Sequence, residues 1–151
     1  MRFLKAFFLS LFLIASLVSI AQAENLPPTV CPTVSAIQHV GLLGVMEEKS
    51  YQVYAAYQIN KYATAETWGF VVAVPIDQAV SKTDAMNKAK EAMKSLAGEP
   101  EPVSTDATNR QWYCLYTDDY QYIAAAFTPL MADAMINGIL KASGARLPLL
   151  N

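Results

Sequence analysis

The chain has 151 residues, 54% of them apolar, with 11 basic and 13 acidic residues and a net charge of −2. That is the length of one domain and enough for a single core. No Lys/Arg cluster occurs, so the positive patch that phosphate binding requires is missing and no nucleic-acid partner is expected.

The chain opens on a leader. Arg2 and Lys5 give a basic start, Phe7 to Ile20 is an apolar run interrupted by serines, and Ala21-Gln22-Ala23 sets small residues before Glu24. Residues 1–23 therefore read as a secretory signal peptide, too short and wrongly flanked for a stable membrane span. No cysteine stands directly after Ala23, so no lipid anchor of the lipoprotein kind is expected, and no second apolar run approaches spanning length. Losing Arg2 and Lys5 leaves nine basic against 13 acidic residues, a net charge of −4. Residues 24–30 form a polar, proline-bearing linker, 31–145 a single domain, and 146–151 a greasy tail.

Pro32 and Thr33 stand at the first turn of a short helix in which Val34, Ile37, Gln38 and Val40 make a modest apolar stripe, and Gly41 ends it. The period then changes. Leu42 to Met46 is predicted as a short strand, Glu47 to Ser50 as a polar turn, and Tyr51 to Ile59 as a strand with odd and even positions on opposite faces. If the odd face is inward, Tyr54 points outward. Trp68 to Val74 is apolar on both faces, which marks a central strand, and Pro75 stops it. Ser81 and Asp84 resemble a cap opening a helix over Lys82 to Ala97, with Gly98 at its C-cap and Ala85, Met86, Ala89, Ala92, Met93 and Leu96 toward the core. Glu99-Pro100-Glu101-Pro102 admits at most an edge strand, because proline cannot donate to a ladder. A hairpin follows, with arms Gln111 to Tyr116 and Tyr120 to Phe127 turning at Thr117-Asp118-Asp119. Thr128 and Pro129 read as N-cap and first residue of a third, apolar helix from Leu130 to about Ala142.

Thr33 to Pro75 and Lys82 to Pro129 run through one order of elements, a helix followed by three strands. The expected fold is α+β: an antiparallel sheet of about five to six strands with helices packed on it, built as a tandem helix-plus-three-strand repeat, plus the C-terminal helix.

Candidate chemistry is sparse. Cys31 and Cys114 read as one disulfide in an oxidising compartment, against a free nucleophilic thiol or a metal site. One histidine and no Cys-x-x-Cys leave structural zinc without ligands, so no metal is expected. His39, four residues after Ser35 on a helical face, allows a nucleophile-plus-base pair to be drawn, but no elbow motif accompanies it, and an ordinary, partly buried histidine is the plainer reading. The carboxylate pairs Glu47/Glu48 and Asp118/Asp119 fall in turns and lack the ligand count of a calcium loop. No Walker loop, dinucleotide fingerprint, His-Glu-x-x-His or Gly-x-Ser-x-Gly occurs, and no cofactor is expected.

The aromatic strands are more informative. Trp112, Cys114 and Tyr116 share one face of their arm and Tyr113 and Leu115 the other, while Ile123, Ala125 and Phe127 share a face of the opposite arm. Both faces of the sheet thus carry apolar groups, and the second must be covered by the third helix, a partner or a ligand. Tyr54, Tyr113, Leu115, Met131 and Met135 are the candidate binding surface.

Four pieces read together, Cys31-Pro32-Thr33-Val34-Ser35-Ala36-Ile37 with Val40-Gly41, Trp68-Gly69-Phe70, Trp112-Tyr113-Cys114-Leu115-Tyr116 and Ala126-Phe127-Thr128-Pro129, carry a resemblance. From Cys31 to Pro129 the chain resembles a small exported family of unknown function from gram-negative intracellular pathogens. The resemblance implies export across the inner membrane, to the periplasm or the extracellular space, with release by a type II secretion system, and supplies no catalytic residues. The expectation is a secreted, disulfide-stapled, non-enzymatic interaction protein, a virulence-associated factor that binds a host or envelope protein. The alternative is a carrier of a small apolar ligand or lipid between sheet and C-terminal helix, and the third reading is a small hydrolase using His39.

Overall fold

A computed structural model describes residues 27–104 and 110–130. Side-chain caps start both helices. The Thr33 hydroxyl accepts the Ala36 N–H at 3.2 Å and opens α1 (Val34–Val40); Gly41, at φ +78°, closes it by donating its N–H to the Ile37 carbonyl at 2.9 Å. Ser81 opens α2 (Lys82–Lys94) by accepting the Asp84 N–H at 3.2 Å. α2 stops short of the expected Ala97, because Ala97 leaves the helix to bridge Thr117 through a pair of backbone bonds at 2.8 and 3.0 Å.

The strands are β1 (Gly44–Glu48), β2 (Val53–Asn60), β3 (Trp68–Pro75), β4 (Val103–Ser104), β5 (Trp112–Tyr116) and β6 (Ile123–Thr128). Several boundaries move from their expected places, each for a local reason. Glu47 and Glu48 belong to β1; the reversal comes later, in a 3₁₀ turn Lys49–Tyr51 that the Glu48 carboxylate caps by accepting the Ser50 N–H at 3.1 Å. Gln52 then takes a left-handed φ of +55°, so β2 begins at Val53. Asp118 is a turn organiser: its Oδ1 accepts the N–H groups of Tyr120 at 2.7 Å and Tyr122 at 3.3 Å, which delays β6 to Ile123. Thr128 ends β6 and donates its hydroxyl to the Thr67 carbonyl at 2.9 Å. The leader, Met131, Met135, the rest of the expected third helix and the tail lie outside the described residues.

All pairings are antiparallel, in one six-stranded sheet of order β1-β2-β3-β6-β5-β4. That order is symmetric about the β3–β6 pair, as the tandem helix-plus-three-strand reading requires. When Pro75 and Pro129 are taken as equivalent, Val71 and Ala125 become equivalent too, and they face one another in the register. The two halves are therefore related by a pseudo-two-fold passing between Val71 and Ala125. The helices cross over: α2 packs on β1, β2 and β3, while the segment leading into α1 is fastened to β5.

Both described helices lie on the same side of the sheet. Ile37 of α1 and Ala85, Ala89, Ala92 and Met93 of α2 pack against Ala56, Phe70, Val72, Val74, Cys114, Tyr116, Ala124 and Ala126. Each fully buried large side chain here, such as Phe70 or Val72, contributes about 1.5–3 kcal/mol. The alternation expected for β5 and β6 holds. For β2 it is the even positions, Tyr54 and Ala56, that face the helices, so Tyr54 does not project from the open side.

Candidate functional site

The side of the sheet away from the helices can be read row by row from the register. One row runs Ile59, Gly69, Phe127, Tyr113, Val103; the next Gly44, Tyr57, Val71, Ala125, Leu115; the third Met46, Ala55, Ala73, Ile123. No charged side chain stands in these three rows; the fourth, Glu48, Val53 and Pro75, brings one carboxylate to the edge of the face. A strand face left to solvent normally alternates apolar-in with polar-out, and a surface-sized patch without charge marks a contact.

The shape of this face follows from two glycines. A Cβ on Gly69 would lie 2.1 Å from Cζ of Phe127, its cross-strand partner, and a Cβ on Gly44 would lie 3.0 Å from the ring of Tyr57, its own partner. Each aromatic ring thus fills the space above a glycine instead of standing up from the sheet. With Ala55, Ala73 and Ala125 in the middle, the result is a low, apolar floor bordered by Met46, Tyr113, Leu115 and Ile123. Ala55, Val71 and Ala125 are at most 2% exposed, whereas Ile59 and Val103 at the ends are about half exposed.

Of the residues expected to bind, Tyr113 and Leu115 lie on this face, beside Phe127 and Ala125. Tyr54 lies on the other, and Met131 and Met135 fall outside the described residues. The sequence reading missed Gly44, Met46, Tyr57, Gly69 and Val71. A signal was available, since a glycine inside a strand pattern marks close approach of a neighbour.

The opposite side is where polar groups are spent on structure. Cys31 and Cys114 form a disulfide, Cα to Cα 6.0 Å, closing 83 residues of sequence separation. Beside it the buried Tyr116 hydroxyl donates to the Pro32 carbonyl at 2.6 Å, and its ring meets Phe70 edge-on at 5.9 Å. Tyr62, also buried, donates its hydroxyl to the Gln58 carbonyl at 3.2 Å. Burial raises the titration of both phenols, and for Tyr116 the nearby Tyr62 adds to the rise. Trp68 is fully buried, with its indole N–H on the Thr64 hydroxyl at 2.9 Å.

The catalytic candidates do not converge. His39 is exposed in the last turn of α1, not partly buried as expected, and the Ser35 hydroxyl is 3.2 Å from that of Thr33. Among the described residues no group of three His, Cys, Asp or Glu side chains could hold a metal ion. A groove of about 620 Å³ lies between residues 29–35 and 98–102, lined by Pro32, Glu99, Pro100, Glu101 and Pro102 among others. It brings together prolines, two carboxylates and the hydroxyls of Thr29, Thr33 and Ser35, and His39 is not among its lining residues.

A family model described as a domain of unknown function, DUF4949, matches residues 30–141. No curated protein and no solved structure matches the chain.

Proposed function

We propose that this chain, which belongs to the DUF4949 family of domains of unknown function, is an exported, disulfide-stapled interaction protein that binds another protein through the face of its sheet opposite α1 and α2. The observation that carries this reading is the uncharged floor from Met46 across Ala55, Val71 and Ala125 to Leu115 and Tyr113. Large apolar side chains at the border of such a floor supply anchors, and the small residues between them let a partner approach the backbone.

Export is supported by the leader-like residues 1–23 and by the disulfide, a bond that persists in oxidising compartments. No helix among the described residues is long and apolar enough to cross a membrane. Release by a type II secretion system, and a virulence-associated role against a host or envelope protein, are the finer form of the same proposal and rest on the sequence resemblance.

The test is crosslinking in the exported fraction with a photoreactive group on the open face. Tyr113→Ala with Leu115→Ala should cut crosslinked partner about tenfold or more, the effect of removing two interface anchors, while the thermal transition stays cooperative. Undiminished crosslinking would move the binding surface elsewhere. A second reading, carriage of a small apolar ligand between the sheet and the C-terminal segment, is favoured by the apolar make-up of the same floor. Native mass spectrometry separates the two: an excess mass of lipid size supports carriage, and a bare chain supports protein binding.

A further inference from the structure

We infer that the open face has a resident occupant, the chain's own residues 131–151, and that binding at this face works by displacing it. The inference rests on the reading of that face as a binding surface and adds its regulation.

Three observations carry it. The floor is deeply buried, with Ala125 at 0% and Val71 at 2% exposure, although both described helices contribute their apolar side chains to the other side of the sheet. The chain reaches its last described residue on this side: Leu130 Cδ2 lies 3.0 Å from where a Cβ on Gly69 would stand, next to Phe127. The residues that follow suit the floor. Residues 131–151 carry only Asp133, Lys141 and Arg146 as charged groups, among Met131, Met135, Ile136, Ile139, Leu140, Leu147, Leu149 and Leu150.

Length agrees with this. Six strands spaced about 4.8 Å apart make a face roughly 25 Å across. The helix expected to about Ala142 spans roughly 18 Å at about 1.5 Å per residue, and the nine residues after it, extended, reach beyond the rest of that width. The attachment is also favourable, because Leu130 sits at the edge of the floor and the effective concentration of a directly tethered segment is in the millimolar range or above. A partner must therefore out-compete a tethered ligand, and its apparent affinity falls by the fraction of molecules in which the face is open.

The experiment uses the full mature chain with a nitroxide label at Met135→Cys, a unique thiol because Cys31 and Cys114 are paired. The expected result is strong broadening of the backbone amide signals of Val71, Ala125 and Leu115, with those of Lys88 and Lys94 on α2 little affected. Broadening centred on α2, or none on either side, overturns the inference. A chain ending at Leu130 gives a second readout with the apolar dye 8-anilinonaphthalene-1-sulfonate. Its fluorescence should rise at least about fivefold over the full chain, and a synthetic peptide of residues 131–151 should reverse the rise. Equal dye uptake by the two chains counts against the inference. The function proposed above fails separately: broadening as expected with no crosslinked partner leaves the docked segment standing and removes its competitor. Crosslinking that depends on Tyr113 and Leu115 without broadening does the reverse.

Discussion

The two faces of the sheet solve the same burial problem with different chemistry. On the helix side, position is fixed by directional links: the Cys31–Cys114 bond, the Tyr116 hydroxyl on Pro32, the Gln38 amide on the Met93 carbonyl at 2.7 Å, and the Trp68 indole on Thr64. On the open side, contact is almost wholly apolar and the register alone sets which side chains meet. Directional links specify one partner and one geometry, whereas a flat apolar floor accepts anything that covers it. Under the proposed function, the first face holds the fold together and the second takes the partner.

The comparison is broken most severely at the disulfide. Closing 83 residues of separation restricts the unfolded chain by about 4–5 kcal/mol in the chain-entropy account. Cys31→Ala with Cys114→Ala should lower stability by that order, read as a shift of the denaturant midpoint. If the link serves only the helix side, crosslinking of the open face per folded molecule should stay unchanged. A loss of crosslinking in the folded variant would show that the two faces are not separable.

Gly69 probes the open face from within. Gly69→Ala puts a methyl 2.1 Å from the Phe127 ring, so the ring must rise out of the floor. An overpacking cost of about 1–3 kcal/mol is expected, smaller than the loss of the disulfide. Tyr116 and Phe70, on the other side, should keep their near-ultraviolet circular dichroism, because Gly69 does not reach that cluster. Partner crosslinking should fall along with the flatness of the floor. A substitution that costs less than about 0.5 kcal/mol, the ordinary surface range, would mean that Phe127 swings clear freely and the floor is not held flat by its packing.

Much of the architecture was legible in the residues. Trp68 to Pro75 is apolar at nearly every position and is buried at every position to Val74, so it reads directly as the central strand. The repeat of helix and three strands, the cysteine pair, and the alternation of Trp112 to Tyr116 also follow from pattern. What pattern could not reach was direction. Ala55 and Ala56 are both buried, so the period of β2 alone does not say which of its faces meets the helices, and Tyr54 went to the wrong side. Turns governed by a single side chain, such as Asp118 gathering two N–H groups, shift strand ends by a few residues without altering composition. The floor itself was hidden because it is made of residues from five strands whose pairing only the register reveals.

The smallest effect concerns the phenols that mark the helix side. Tyr116→Phe removes one buried hydrogen bond to Pro32 and should cost about 1–2 kcal/mol, leaving a carbonyl without its donor. The same residue makes stability fall at high pH, and the sign follows from the direction of the shift. Burial, with Tyr62 nearby, raises the phenol above its ordinary value of 10.0, so between that value and the folded one the native state holds a proton that the unfolded chain has released. The stabilisation is therefore fully present below pH 10.0 and is lost as pH climbs toward the folded titration. Tyr62 acts in the same direction for the same reason. Denaturant midpoints measured across the alkaline range should decline for the native chain and decline less steeply for Tyr116→Phe and for Tyr62→Phe. Parallel declines for all three chains would show that neither phenol carries the alkaline loss.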